Sequence, residues 1–129
     1  MTPKELDRLA VAADVSYAGA LKRLAPVEAE RRRLDAACEK ARREAVVMAH
    51  ADEGAIDAVS AGDLLAADAA RRSALDRVKR YEEELRRLAP SLDEARRKVR
   101  KALAKTEVVA ELRRRHAREA RRTTDLAGG

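Results

Sequence analysis

Two long stretches of this chain carry a heptad repeat of small and apolar residues, and this repeat constrains the fold more than any other feature. The first stretch has thirteen repeat positions: Leu6, Ala10, Ala13, Tyr17, Ala20, Leu24, Val27, Arg31, Leu34, Cys38, Ala41, Ala45 and Met48. The second has Leu64, Ala67, Arg71, Ala74, Val78, Tyr81, Leu85, Leu88, Leu92, Ala95, Val99, Ala102, Thr106 and Val109. We call these positions the seam. Each seam contains one charged residue and is flanked mostly by charged residues and alanine, so it predicts a helix with one narrow face against a partner.

The composition excludes an ordinary globular core. Charged residues make up 40% of the chain and aromatic residues 2%, with no Trp and no Phe. Such a chain is typical of long helices and coiled coils, because it lacks the aromatic area that fills most cores. Two seams joined by a short turn predict an all-α fold, an antiparallel two-helix coiled-coil hairpin. The alternative is a long helix that dimerises with a second chain.

The ends of the helices follow from local signals. Thr2, Pro3 and Glu5 form a helix start with a capping box, and Ser60 with Asp63 resembles a second start. The predicted single domain spans residues 1–129, with helix 1 at about 3–50, the turn at about 51–63, helix 2 at about 64–122 and a frayed terminus at 123–129.

Two prolines inside the predicted helices provide an estimate of the register. A hairpin folded about residue 58 pairs positions whose numbers total about 116, which places Pro26 opposite Pro90 and Tyr17 opposite Val99. An interior proline costs about 3 kcal/mol and bends a helix. Two prolines at one level would produce one shared bend. Each proline follows the residues Leu-Ala, and this repeat can also arise by chance in an alanine-rich chain.

The sequence lacks the residue patterns that catalysis requires. His50 and His116 lie near opposite ends of the predicted hairpin, and Cys38 has no histidine at a suitable spacing and sits on the seam. No phosphate-binding glycine loop or dinucleotide fingerprint occurs. We therefore expect no enzymatic activity, no metal and no cofactor. The N-terminus has no signal-peptide pattern and no apolar run approaches about 18–20 residues, so we expect a cytoplasmic protein.

The two ends of the predicted hairpin differ in charge. Residues 51–70 contain five acids and no base: Asp52, Glu53, Asp57, Asp63 and Asp68. Residues 113–122 contain Glu119 and six arginines: Arg113, Arg114, Arg115, Arg118, Arg121 and Arg122. A few cations complement the negative end of a helix dipole, but six exceed that need and favour a partner contact. Nucleic acid and a membrane surface are weaker alternatives, because no aromatic or apolar side chains accompany the arginines.

At its C-terminal side the chain resembles the FliJ family, the small coiled-coil stalk proteins of flagellar export, and their type III secretion counterparts. Residues 92–100 read LDEARRKVR and residues 105–115 read KTEVVAELRRR. These stretches resemble the family pattern of a hydrophobic-acidic step, an Arg/Lys run and a late Leu followed by charges. The resemblance covers about residues 85–118 by pattern and nearly the whole chain by architecture.

The resemblance implies a partner for each of two surfaces. The open end of the hairpin would enter the pore of the hexameric export ATPase and promote its ring state, with contacts from Arg113, Arg114, Arg115 and Arg118. A side face of the hairpin would bind the export gate or substrate chaperones, and Tyr81, Glu82 and Arg86 are the candidates for it. The protein would then be cytoplasmic and peripheral to the inner membrane through its partners. The alternatives are a generic coiled-coil adaptor and a basic coiled coil associated with nucleic acid.

Overall fold

The protein consists of two long α-helices in a computed structural model that describes the backbone of residues 1–54 and 60–128 and the side chains of residues 1–47 and 60–128. Helix α1 spans Pro3–Gly54 and helix α2 spans Ala61–Gly128, and no strand occurs in these ranges. The structure confirms the predicted all-α helical hairpin. In the described parts of the chain, neither helix combines the length and the apolar character needed to cross a membrane.

Both helix starts use the side chains that the sequence predicts. The Thr2 hydroxyl accepts a hydrogen bond from the Glu5 backbone N–H at 3.2 Å, and a Glu5 carboxylate oxygen accepts one from the Thr2 N–H at 3.2 Å. This reciprocal pair is a capping box. The Ser60 hydroxyl accepts a hydrogen bond from the Asp63 N–H at 3.3 Å, so Ser60 caps α2. Each cap satisfies a backbone N–H that the first turn of a helix leaves without a partner.

The helices extend further than the predicted boundaries. Helix α1 continues to Gly54 instead of ending near residue 50, and α2 begins at Ala61 instead of Leu64. Helix α2 also continues to Gly128, through the terminus that was expected to fray from residue 123. Inside a helix the Thr123 and Thr124 hydroxyls donate hydrogen bonds to the backbone carbonyls four residues earlier, Glu119 and Ala120.

Burial confirms the predicted seam. All thirteen buried apolar residues of the described side chains are seam positions: Leu6, Ala13, Ala20, Leu24, Leu34, Cys38, Ala41, Ala45, Ala74, Val78, Leu92, Ala102 and Val109. The seam residue Leu64, in contrast, is 37% exposed. The two charged seam residues differ. Arg31 is exposed, 3.6 Å from Asp35, whereas Arg71 is half-buried and donates a hydrogen bond to Asp68 at 3.0 Å. The buried residues therefore form one narrow stripe along each helix.

The chain divides into two compact units that both contain paired segments of α1 and α2. Unit 1 comprises Met1–Pro26 and Leu92–Gly129, and unit 2 comprises Val27–Ser91. In both units the two helices are antiparallel, because an early residue of α1 meets a late residue of α2. The division falls at Pro26 in α1 and one residue after Pro90 in α2, and both prolines lie inside their helices. The predicted single domain stays a prediction.

Ion pairs between the helices bear on the predicted register. The numbers of the paired residues total 120 for Asp7 with Arg113, 121 for Glu44 with Arg77 and 124 for Arg42 with Glu82, against the predicted 116. Helical side chains lean toward the N-terminus of their own helix, so a contact between antiparallel helices joins residues whose numbers total more than those of backbone positions at one level. The pairing of Pro26 with Pro90 therefore stays a prediction.

Candidate protein-binding site

The four arginines predicted to contact a partner all lie near the C-terminal end of α2, and all have carboxylate partners. Arg113 donates a hydrogen bond across the hairpin to Asp7 of α1 at 2.9 Å. The other three surround Glu111 on their own helix, with nitrogen–oxygen distances of 2.9 Å for Arg114, 3.5 Å for Arg115 and 3.2 Å for Arg118. Their side chains remain exposed, with solvent-accessible fractions between 53% for Arg113 and 67% for Arg115.

The electrostatics of this cluster leave an excess of positive charge. The hydrogen bond from Arg114, with the charges of Arg118 and Arg115, lowers the pKa of the Glu111 carboxyl below its ordinary value. Glu111 is therefore ionised at neutral pH and offsets one of the three charges around it. The remaining charge lies on an exposed helix surface, where it can attract an anionic partner at long range. The structure brings the predicted arginines together, as the sequence analysis expected.

Of the three residues predicted to bind the export gate or chaperones, one packs against the core and two carry polar groups nearer the surface. Tyr81 is half-buried and packs against the buried cluster of Cys38, Ala41 and Val78. Glu82 accepts a hydrogen bond from Arg42 of α1 at 3.0 Å, and Arg86 is exposed. Tyr81 therefore stabilises unit 2, and the exposed polar groups beside it are what remains for a partner.

Unit 1 contains an apolar groove that the sequence analysis did not predict. It encloses about 520 Å³ between α1 and α2 and is lined by Leu9, Ala12, Ser16, Val108 and Leu112, among others. Val108 is 60% exposed, and Leu9 and Leu112 are about 40% exposed. The groove exists because the α1 residues beside the seam are short, so that no long side chain covers the apolar atoms. We call this surface the groove.

The groove continues into a basic region further along the same two helices. A second cavity of about 160 Å³ shares Ser16, Lys101 and Lys105 with the groove and adds Arg23 and Lys98. None of the residues that line either cavity is acidic. Among the described side chains, those of residues 1–47 and 60–128, no ion pair joins these four cations to a carboxylate.

The groove and the arginine cluster are therefore opposite in character. The arginines are paired with carboxylates, whereas no acidic residue lines the cavities of the four groove cations, and two of these cations, Lys101 and Lys105, also line the apolar groove. A sequence signal for the groove exists in retrospect. Ala12 and Ser16 are small residues at helical spacing beside the seam, and Ala104 and Val108 have the same spacing on α2.

The described residues offer little for other chemistry. No group of three His, Cys, Asp or Glu side chains in residues 1–47 and 60–128 lies close enough to hold a metal ion. Cys38 is buried and unpaired in the core of unit 2. His116 is half-buried, and the side chain of His50 lies outside the described residues.

Comparison with known proteins adds no relative. No protein-family model matches the chain, and neither a curated protein nor a solved structure does. The resemblance to the FliJ family stays a prediction.

Proposed function

We propose that this chain is a non-enzymatic coiled-coil accessory protein that binds protein partners, and that it is the stalk component of a flagellar or type III export apparatus. The observation that carries this proposal is the exposed basic surface at the C-terminal end of α2, formed by Arg113, Arg114, Arg115 and Arg118. A two-helix hairpin has a large exposed surface and little interior in which to form an enclosed pocket. This arrangement suits binding more than catalysis.

The arginine cluster suits a contact with an acidic protein surface. Arginine forms planar, bidentate pairs with carboxylates, and the three around Glu111 are already oriented by it. Orientation in the free protein lowers the entropy lost on binding. By the resemblance, the partner is the pore of the hexameric export ATPase, and the protein promotes the ring state and works in the cytoplasm, peripheral to the inner membrane.

The exposed groups beside Tyr81 fit the second proposed contact, with the export gate or substrate chaperones. Glu82 and Arg86 lie one and five residues after Tyr81 on α2, and Arg42 reaches Glu82 from α1. The surface therefore alternates in sign over a short distance. Such an arrangement gives orientation and specificity more than affinity.

The test is the ATPase activity of the export hexamer from the same organism, measured with increasing amounts of the purified chain. We expect stimulation by the native chain, and loss of most of it when Arg113, Arg114 and Arg115 are all changed to Gln. A matched control changes Arg32, Lys79 and Arg80 to Gln, which removes the same charge from exposed positions of unit 2 and should leave the stimulation intact.

Two outcomes contradict parts of the proposal. No stimulation at any ratio would refute the stalk function. A chain that binds the ATPase without changing its rate would be the generic coiled-coil adaptor instead. Equal losses in the arginine variant and in its control would show that net charge, and not this cluster, determines the effect.

A further inference from the structure

We infer that the groove of unit 1 binds one amphipathic helix of a partner protein, with leucine-like side chains on its apolar face and acidic side chains beside that face. This surface is separate from Arg113, Arg114, Arg115 and Arg118, so the inference goes beyond the proposed ATPase contact and does not depend on it.

The shape of the groove suits a helix. It lies between two antiparallel helices, and a third helix packed there would form a three-helix bundle with the ordinary packing of side chains between helices. From Leu9 to Ser16 is seven residues, or about 10 Å along α1. That length matches two turns of a bound helix, with apolar side chains at positions i, i+3 or i+4, and i+7.

The apolar part of the groove supplies the driving force. Val108, Leu9 and Leu112 all retain substantial exposure, and they lie together on one surface. Burying apolar area releases about 25 cal/mol for each Å² removed from water. Exposed apolar residues scattered singly over a protein surface are ordinary. A groove of about 520 Å³ lined by several of them has the size of a binding site.

The charges of the groove select the partner. Lys98, Lys101, Lys105 and Arg23 line its basic region without an acidic neighbour among the lining residues. An acidic helix would supply those carboxylates, whereas a basic helix would add repulsion. Nucleic acid could neutralise the cations, but it has no apolar face for Leu9, Val108 and Leu112. An acidic amphipathic helix satisfies both parts of the surface.

The test uses two designed helical peptides of eighteen residues as probes. Both carry the same leucines at positions i, i+3, i+7 and i+10, and one has Glu beside them where the other has Lys. Binding to the full chain is measured by fluorescence anisotropy at low salt. Exposed ion pairs are individually weak, so three or four of them favour the Glu peptide by about threefold or more. Changing Lys98, Lys101 and Lys105 to Glu should reverse this preference.

A matched pair of variants tests the place of binding. Val108→Asp introduces a charge into the groove at a residue that is 60% exposed, and it should abolish binding of the Glu peptide. Val11→Asp makes the same change at a residue of unit 1 that is 62% exposed and lies outside the groove lining, and it should leave binding unchanged. Circular dichroism of both variants checks that the helices are retained.

Three results would overturn the inference. The two peptides could bind equally, which would remove the charge selection. Val11→Asp could weaken binding as much as Val108→Asp, which would place the peptide elsewhere. The third is that the chain self-associates through this face, shown by a dimer in light scattering that Val108→Asp abolishes and that excludes the Glu peptide, so that a second copy is the occupant.

Discussion

The most deeply buried seam residues lie in unit 2, whereas unit 1 has an apolar groove beside its seam, although the same heptad repeat runs through both. In unit 2, Leu34, Cys38, Ala41 and Ala74 are exposed by 2% or less. In unit 1, the most buried seam residues, Ala20 and Leu92, reach 4%. The larger difference is beside the seam, where unit 1 has the groove.

The residues that flank the seam account for this difference. In unit 2, long side chains extend across the helix interface: Arg42 reaches Glu82 at 3.0 Å, and Arg77 reaches Glu44 at 2.8 Å. Their aliphatic stems cover apolar surface while their charged groups remain in water. In unit 1, Arg113 reaches Asp7 at 2.9 Å, but the α1 residues that line the groove, which include Ala12 and Ser16, have no long polar side chain to extend across it. The seam therefore determines that two helices pair. The residues beside the seam determine whether the neighbouring apolar surface is covered or stays accessible to a further partner.

The largest test of this comparison is truncation of one leucine in each unit. Leu34→Ala removes a fully buried side chain from unit 2 and should destabilise the protein by about 2–4 kcal/mol. Leu112→Ala removes a 39% exposed side chain from unit 1 and should cost less than about 1 kcal/mol. Urea unfolding followed by circular dichroism measures both. Equal losses would mean that the groove is closed in solution.

A smaller effect should come from the interior glycine of unit 1. Gly19 has no unusual backbone conformation, and an added Cβ would lie 3.8 Å from the Arg23 guanidinium, an ordinary contact. Gly19→Ala should therefore stabilise α1 by about 0.5–1 kcal/mol. The control is Ser73→Ala at an exposed position of unit 2, with a smaller expected gain in melting temperature. A loss of stability at Gly19 would show a close approach of the helices at this position.

The ion pairs between the helices should contribute less still, and unequally. Double-mutant cycles to alanine for Glu44 with Arg77 in unit 2 and for Asp7 with Arg113 in unit 1 should give coupling energies of about 0.2–1 kcal/mol. The unit 2 pair should have the larger value, because its side chains are less exposed, and both should weaken with salt. A larger coupling for Asp7 with Arg113 would reverse the comparison.

The smallest effect concerns acid. A hydrogen bond from Arg33 lowers the pKa of Glu30 in unit 2, and one from Arg114 lowers that of Glu111 in unit 1. A carboxyl whose pKa is lower in the folded state stabilises the protein above its ordinary pKa of 4.5, and this contribution is lost as the pH falls through the lowered value. We expect the melting temperature to fall below pH 4.5. Glu111→Gln should reduce this fall more than Glu30→Gln, because three arginines surround Glu111 and one binds Glu30. Equal reductions would refute that ranking.

The sequence analysis predicted the elements of the fold well and the site in part. The helices, the two caps and the seam are local or periodic features, so the pattern alone indicates them. The arginine cluster was also visible, because its members are neighbours on one helix. The pairing of Asp7 with Arg113 was not visible in the sequence, because it depends on the register of two distant segments.

What the sequence by itself determined is which residues face the partner helix: every buried apolar residue of the described side chains lies on the predicted seam. The period of the helix and the cost of exposing apolar atoms are sufficient for that result. The tertiary structure alone decided the groove and the ion pairs between the helices. The groove forms where short residues of α1, such as Ala12 and Ser16, meet Lys105 and Val108 of α2, and that meeting joins residues that are far apart in the sequence.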